Sequence, residues 1–102
     1  MAAAKRVVYI LESRAVPARY YTGVTADIDA RLAAHNAGRC PHTARGRPWR
    51  IDVVIAFRDE QRAFAFERYL KSGSGFAFAR RHLRTTVNTP TENRNSVVDD
   101  VP

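Results

Sequence analysis

The apolar and polar residues of this chain fall into short stretches that suit a small mixed fold. Residues 6–12, RVVYILE, are β-branched and aromatic, as a buried strand requires. SRAVPA at 13–18 carries a proline and reads as a turn; RYYTGV at 19–24 reads as a second short strand, close enough to pair with the first as a hairpin. Thr25 then offers an N-cap, and Asp27 and Asp29 suit the positive end of a helix dipole. Ile28 and Leu32 share one helical face and Gly38 supplies a stop, so the pattern predicts a helix over 26–37.

Residues 38–50, GRCPHTARGRPWR, read as a loop. A third strand follows at 51–57, with Ile51, Val53, Ile55 and Phe57 on one face. Ala63, Phe66 and Leu70 make the apolar stripe of a helix over 59–71; SGSG at 72–75 breaks it, and 76–84 read as a third, short helix. The resulting order, β-β-α-β-α-α, predicts an α+β fold: a three-stranded antiparallel sheet flanked by helices, spanning residues 1–84. Residues 85–102 lose all periodicity and read as a poorly ordered tail.

Charge narrows the class of partner. Residues 1–84 hold 16 basic and 7 acidic side chains, so the positive charge lies in the part that reads as folded. Of the 17 basic residues in the chain 15 are Arg, whose flat guanidinium pairs two phosphate oxygens at once. A basic, Arg-rich domain points to nucleic acid. Cys40 is the only cysteine, which excludes an intrachain disulfide; a zinc site built on Cys40, His42 and His35 lacks paired ligand spacing. No long apolar run or signal peptide is evident, so the expectation is a soluble, cytoplasmic protein with no membrane partner.

Several polar residues sit where a purely structural pattern would not put them. Tyr9 is mid-strand, and Gly23 lies in a strand interior, where glycine often marks a close approach. Arg31 and His35 are four apart on one helix face, and Glu67 borders the stripe of Ala63 and Leu70. Singly, each has a structural reading. Tyr9 and Tyr21 suit a half-buried strand, Arg31 can pair with Asp27, Glu67 with Lys71, and His35 suits a helix C-terminus.

Jointly, VVY at 7–9, YTG at 21–23, Arg31, His35 and Glu67 resemble the GIY-YIG nuclease superfamily. YYTGVTADIDARLAAHNAG, RPW at 47–49 and FERYLKSGSGFAFARRH at 66–82 are similar to its small stand-alone members, which share the catalytic domain of the bacterial excision-repair endonuclease subunit. The resemblance covers roughly residues 6–83. Val7 stands where the family name has Gly, Thr22 where it has Ile, and the Asn that many members carry after the metal-binding helix has no clear counterpart, Asn88 being the nearest later one.

The resemblance implies a metal-dependent endonuclease acting on DNA, in repair or on branched substrates. It implies that Tyr9 helps activate water, that Tyr21 orients water or phosphate, and that Gly23 ends the second triplet. Arg31 would neutralise phosphate charge, His35 would support the phosphate or relay a proton, and Glu67 would hold one divalent ion, Mg²⁺ or Mn²⁺. Such hard cations keep most of their waters, so one carboxylate can suffice. Arg39, His42, Thr43, Arg45, Arg47 and Lys71 are further candidates for substrate contact. A nucleic-acid-binding module without catalysis is the alternative; it predicts salt-sensitive binding that survives Glu67→Ala.

Overall fold

The computed structural model describes residues 5–84; the expected tail at 85–102, with Asn88, lies outside them. Strands β1 (Arg6–Ser13), β2 (Tyr20–Thr25) and β3 (Trp49–Phe57) form one antiparallel sheet in the order β2-β1-β3. Helix α1 (Ile28–Asn36) follows the hairpin, and α2 (Glu60–Leu70) and α3 (Gly73–His82) follow β3. The fold is α+β, with the element order read from the sequence and one addition, a 3₁₀ helix at Pro41–Gly46 inside the segment expected to be loop. No helix among the described residues is long and apolar enough to cross a membrane.

β1 is the central strand, and its alternation divides the core in two. Val8 and Ile10 pack under Ala63, Leu70 and Ala79 of α2 and α3. Tyr9 and Leu11 point to the opposite face and pack with Trp49 and, from α1, Ile28 and Leu32. A period of two along one strand thereby sends the aliphatic pair to one helical layer and Tyr9 to the other.

β3 departs from the expected single-faced stripe. Ile10 pairs with Val53 but Leu11 pairs with Ile51, so Asp52 is an extra residue and the strand bulges there. Val53 and Phe57 keep to the α2–α3 face, whereas Ile51 pairs opposite Leu11 and is 37% exposed. The bulge changes the phase of the strand by one residue, which a strictly alternating reading misses.

The caps also sharpen the sequence reading. Asp27, not Thr25, caps α1: its carboxylate accepts from the Ala30 N–H at 3.0 Å, while Thr25 Oγ1 accepts from the Asp27 N–H at 3.2 Å. Gly38 ends the helix with φ +80, and the Gly38 and Arg39 N–H groups return to the carbonyls of His35 and Ala34. SGSG does not separate two helices by a loop. Ser72 caps α3, accepting from the Gly75 N–H at 3.2 Å and donating to the Tyr69 carbonyl at 2.6 Å. A Cβ on Gly75 would overlap that same carbonyl, so only glycine lets α2 and α3 meet this closely.

Candidate active site

Tyr9 is 1% exposed, and its phenol crosses over its ladder partner Gly23 in β2. A Cβ at Gly23 would overlap the phenol oxygen, which explains a glycine in a strand interior. Beyond Gly23 the hydroxyl meets α1, where residues 31 and 35 face the sheet one turn apart. Tyr9 Oη lies 2.9 Å from His35 Nε2, and Arg31 hydrogen-bonds to the same phenol. Among the described residues no ion pair joins Arg31 to Asp27.

His35 is enclosed and has partners on both ring nitrogens. Its Nδ1 lies 2.8 Å from Thr43 Oγ1, and Thr43 Oγ1 donates to the Cys40 carbonyl at 3.3 Å. That network assigns the protons: Thr43 spends its hydrogen on Cys40, so it accepts from His35 Nδ1–H, and Nε2 is left to accept from Tyr9 O–H. With both nitrogens engaged, His35 has no lone pair for zinc, and no cluster of three or more His, Cys, Asp or Glu fit for a metal occurs among the described residues.

The 3₁₀ helix exists to place Thr43. Thr43 is fully buried, and its carbonyl accepts from Trp49 Nε1–H at 2.7 Å. Asn36, the residue after His35, clamps β3: its Oδ1 accepts from the Trp49 N–H at 2.7 Å and its Nδ2 donates to the Trp49 carbonyl at 3.0 Å. Thr43 therefore holds His35 and lies too deep to meet a phosphate itself. Asn36 and Trp49 were not legible as site residues; their signal, weak at best, is adjacency to His35 and to the RPW segment.

The electrostatics follow from this burial. Desolvation raises the Tyr9 pKa, with the Arg31 hydrogen bond as the chief opposing influence. Desolvation, then the Arg31 charge, lowers that of His35 below the ordinary 6.5. The Tyr9 bond favours the charged form of Arg31 and raises its pKa further. Near neutral pH the trio is thus a neutral phenol held between a neutral imidazole and a guanidinium cation.

A chain of contacts continues around the β2 edge. The Tyr21 ring lies 5.0 Å from the His35 ring and 6.4 Å from Tyr9, centroid to centroid. Lys71 Nζ stands 5.7 Å from the Tyr21 ring and 2.6 Å from Glu67 Oε2. Tyr9, Tyr21, Arg31, His35 and Glu67 are therefore joined through successive neighbours, Lys71 included. The local pairing of Glu67 with Lys71 is made as well as the wider one. Of the other candidates, Arg39, His42, Arg45 and Arg47 are exposed around the 3₁₀ helix, and Arg47 Nε donates to the Ala44 carbonyl at 2.8 Å.

Glu67 fits a single hydrated divalent ion. Its side chain is 15% exposed, and it already draws a cation from its own chain, the Lys71 ammonium. A single carboxylate that is not fully enclosed suits Mg²⁺, which keeps several of its own waters.

Comparison with known proteins agrees with this architecture. The GIY-YIG catalytic domain family model matches residues 5–79, and the chain belongs to that family. A UPF0213 protein of Halalkalibacterium halodurans is 37% identical over 65 residues, covering 63% of this chain and 67% of that protein. A UPF0213 protein of Streptococcus pneumoniae serotype 4 is 35% identical over 68 residues, covering 66% and 67% respectively. No solved structure matches at a significant level. The family is a nuclease-domain family whose members generally depend on a divalent metal; the names of the two relatives state no activity.

Proposed function

We propose that the protein is a metal-dependent endonuclease that hydrolyses DNA phosphodiester bonds, on nicked or branched duplexes in particular. The observation that carries this reading is the buried Tyr9 hydroxyl held by both His35 Nε2 and the Arg31 guanidinium. An ordinary strand tyrosine has no need of a second buried base whose far nitrogen is itself fixed.

In this reading Tyr9 accepts a proton from the attacking water as its own passes to His35 Nε2. His35 is suited to receive it, because burial keeps it neutral and Thr43 keeps Nδ1 protonated. Arg31 stabilises the negative charge that gathers on the Tyr9 oxygen while the two protons move, and it faces the charge that builds on the phosphate. Tyr21, packed at a tilt against His35, orients water or phosphate at the edge of β2. Glu67 would hold a divalent ion, Mg²⁺ or Mn²⁺, and that ion would supply charge neutralisation for the phosphodiester. Lys71 and the exposed arginines of the 3₁₀ region bind the flanking backbone.

Incubation with plain, nicked and branched duplex DNA in Mg²⁺ or Mn²⁺ should produce strand breaks that chelation prevents. No break in any of these substrates at high protein concentration refutes the reading.

A further inference from the structure

Beside the Tyr21–Lys71 end of the site a groove of about 280 Å³ opens between β2 and α3. Tyr21 and Lys71 line it, so it is continuous with the candidate active site; Tyr20, Phe76 and Arg84 form its remaining functional wall. Phe76 is 51% exposed, the most exposed large apolar side chain among the described residues, although α3 buries Ala79 one turn later. Its ring is surrounded by cations. The Arg84 guanidinium lies 4.5 Å from the Phe76 centroid and 4.7 Å from that of Tyr20, and Arg80 stands 5.9 Å from Phe76.

This arrangement is more than leftover hydrophobic surface. Arg84 sits between two rings at a cost in hydration, and burial lowers its pKa even though Tyr20, and to a lesser extent Asp52, oppose that shift. Flat faces interleaved with Arg and Lys are what an unpaired nucleotide recognises: the base stacks on a ring and its phosphates meet the cations. A base within a duplex has both faces covered by its neighbours and cannot use such a ring. The charge also disfavours a purely apolar occupant, since Lys71 and Arg84 line the opening and Arg80 stands beside Phe76.

We propose that this groove stacks an unpaired DNA base next to the scissile phosphate, so that the protein acts where duplex meets single strand. The proposal rests on the nuclease reading of the adjoining site and specifies its substrate class. It makes Phe76 a specificity-determining residue, with Arg84 as its support.

The test is binding by the whole chain in EDTA at low salt, so that cleavage plays no part. One probe is a duplex with a single-stranded flap carrying 2-aminopurine, the other a blunt duplex of the same length. Preferential binding of the flap with quenching of 2-aminopurine is expected. Phe76→Ala should reduce the preference about five- to a hundred-fold, the scale of one lost base–ring stack, and Phe76→Tyr should restore it. Phe64→Ala, which removes an exposed α2 ring that packs against Arg6 of β1, should leave flap binding at the wild-type level. Equal binding of flap and blunt duplex, an unquenched probe, or a Phe76→Ala protein with undiminished preference overturns the proposal. Stacking in EDTA without cleavage in Mg²⁺ would instead retain the groove and remove the nuclease reading.

Discussion

Tyr9 and Gly23 face each other across the β1–β2 ladder, and the phenol of one fills the space where the side chain of the other would stand. The missing Cβ is what lets the Tyr9 hydroxyl cross β2 and reach His35 and Arg31. Gly23→Ala should therefore displace the phenol without unfolding the sheet. The expected result is a loss of about 1–3 kcal/mol in denaturant unfolding, the usual range for an added group in a packed site, together with a cleavage rate close to that of Tyr9→Phe. A Gly23→Ala protein of wild-type activity would show that Tyr9 need not lie over this position.

Thr43 tests whether the proton assignment at His35 matters. Thr43→Val keeps the volume but leaves His35 Nδ1–H buried with no acceptor, at a cost of about 1–3 kcal/mol. The tautomer that offers Nε2 to Tyr9 is then no longer favoured. Cleavage should fall with substrate affinity unchanged, because Thr43 is enclosed and touches no substrate; Thr43→Ser should recover most of it. Loss of affinity alone would contradict the assignment.

Asn36 makes two hydrogen bonds to the Trp49 backbone, tying the end of α1 to the start of β3. Asn36→Ala should destabilise the fold by about 1–3 kcal/mol, at roughly 1 kcal/mol per bond plus the unsatisfied groups left behind. Thermal unfolding checks this. A change within about 0.5 kcal/mol, the range of ordinary surface substitutions, would mean that the clamp contributes little.

The pH dependence has a definite sign. His35 is held below its ordinary 6.5 in the fold by burial and then by Arg31. As pH falls through 6.5 the unfolded chain takes up a proton that the folded chain does not, so stability declines. Above 6.5 the contribution of neutral His35 is fully present. The stability advantage of the wild type over His35→Gln, measured by denaturant titration, should shrink as pH is lowered from 7.5 to 5.5. An advantage that grows in acid would contradict a neutral, buried His35.

Much of this organisation was legible in the chain because it is local. The alternation of Val8, Tyr9, Ile10 and Leu11 along one strand sets the two faces of the sheet, and the stripe of Ala63, Phe66 and Leu70 sets the face of α2. The spacing of Arg31 and His35 puts both on the turn that meets Tyr9. What was not legible depends on distant partners. The bulge at Asp52 is a property of pairing between β1 and β3, so Ile51 read as core although it is not. Thr43 lies in an Arg-rich segment that looks like a surface loop, and only the fold reveals that it turns inward beneath His35. The groove at Phe76 is likewise invisible in sequence, where two phenylalanines and three arginines at 76–84 read as one more short helix.

On this mechanism the Tyr9 hydroxyl, and not merely its ring, takes part in breaking a phosphodiester bond. Tyr9→Phe removes that oxygen and little else. The decisive measurement is the single-turnover cleavage rate of wild type and Tyr9→Phe on one nicked or flapped DNA in Mg²⁺, with the affinity of each for that DNA measured in EDTA. Expected are cleavage by the wild type, a fall of at least about a hundredfold in the variant, in keeping with the loss of a positioned general base, and affinities that agree within about threefold. Cleavage by Tyr9→Phe at the wild-type rate would contradict the mechanism.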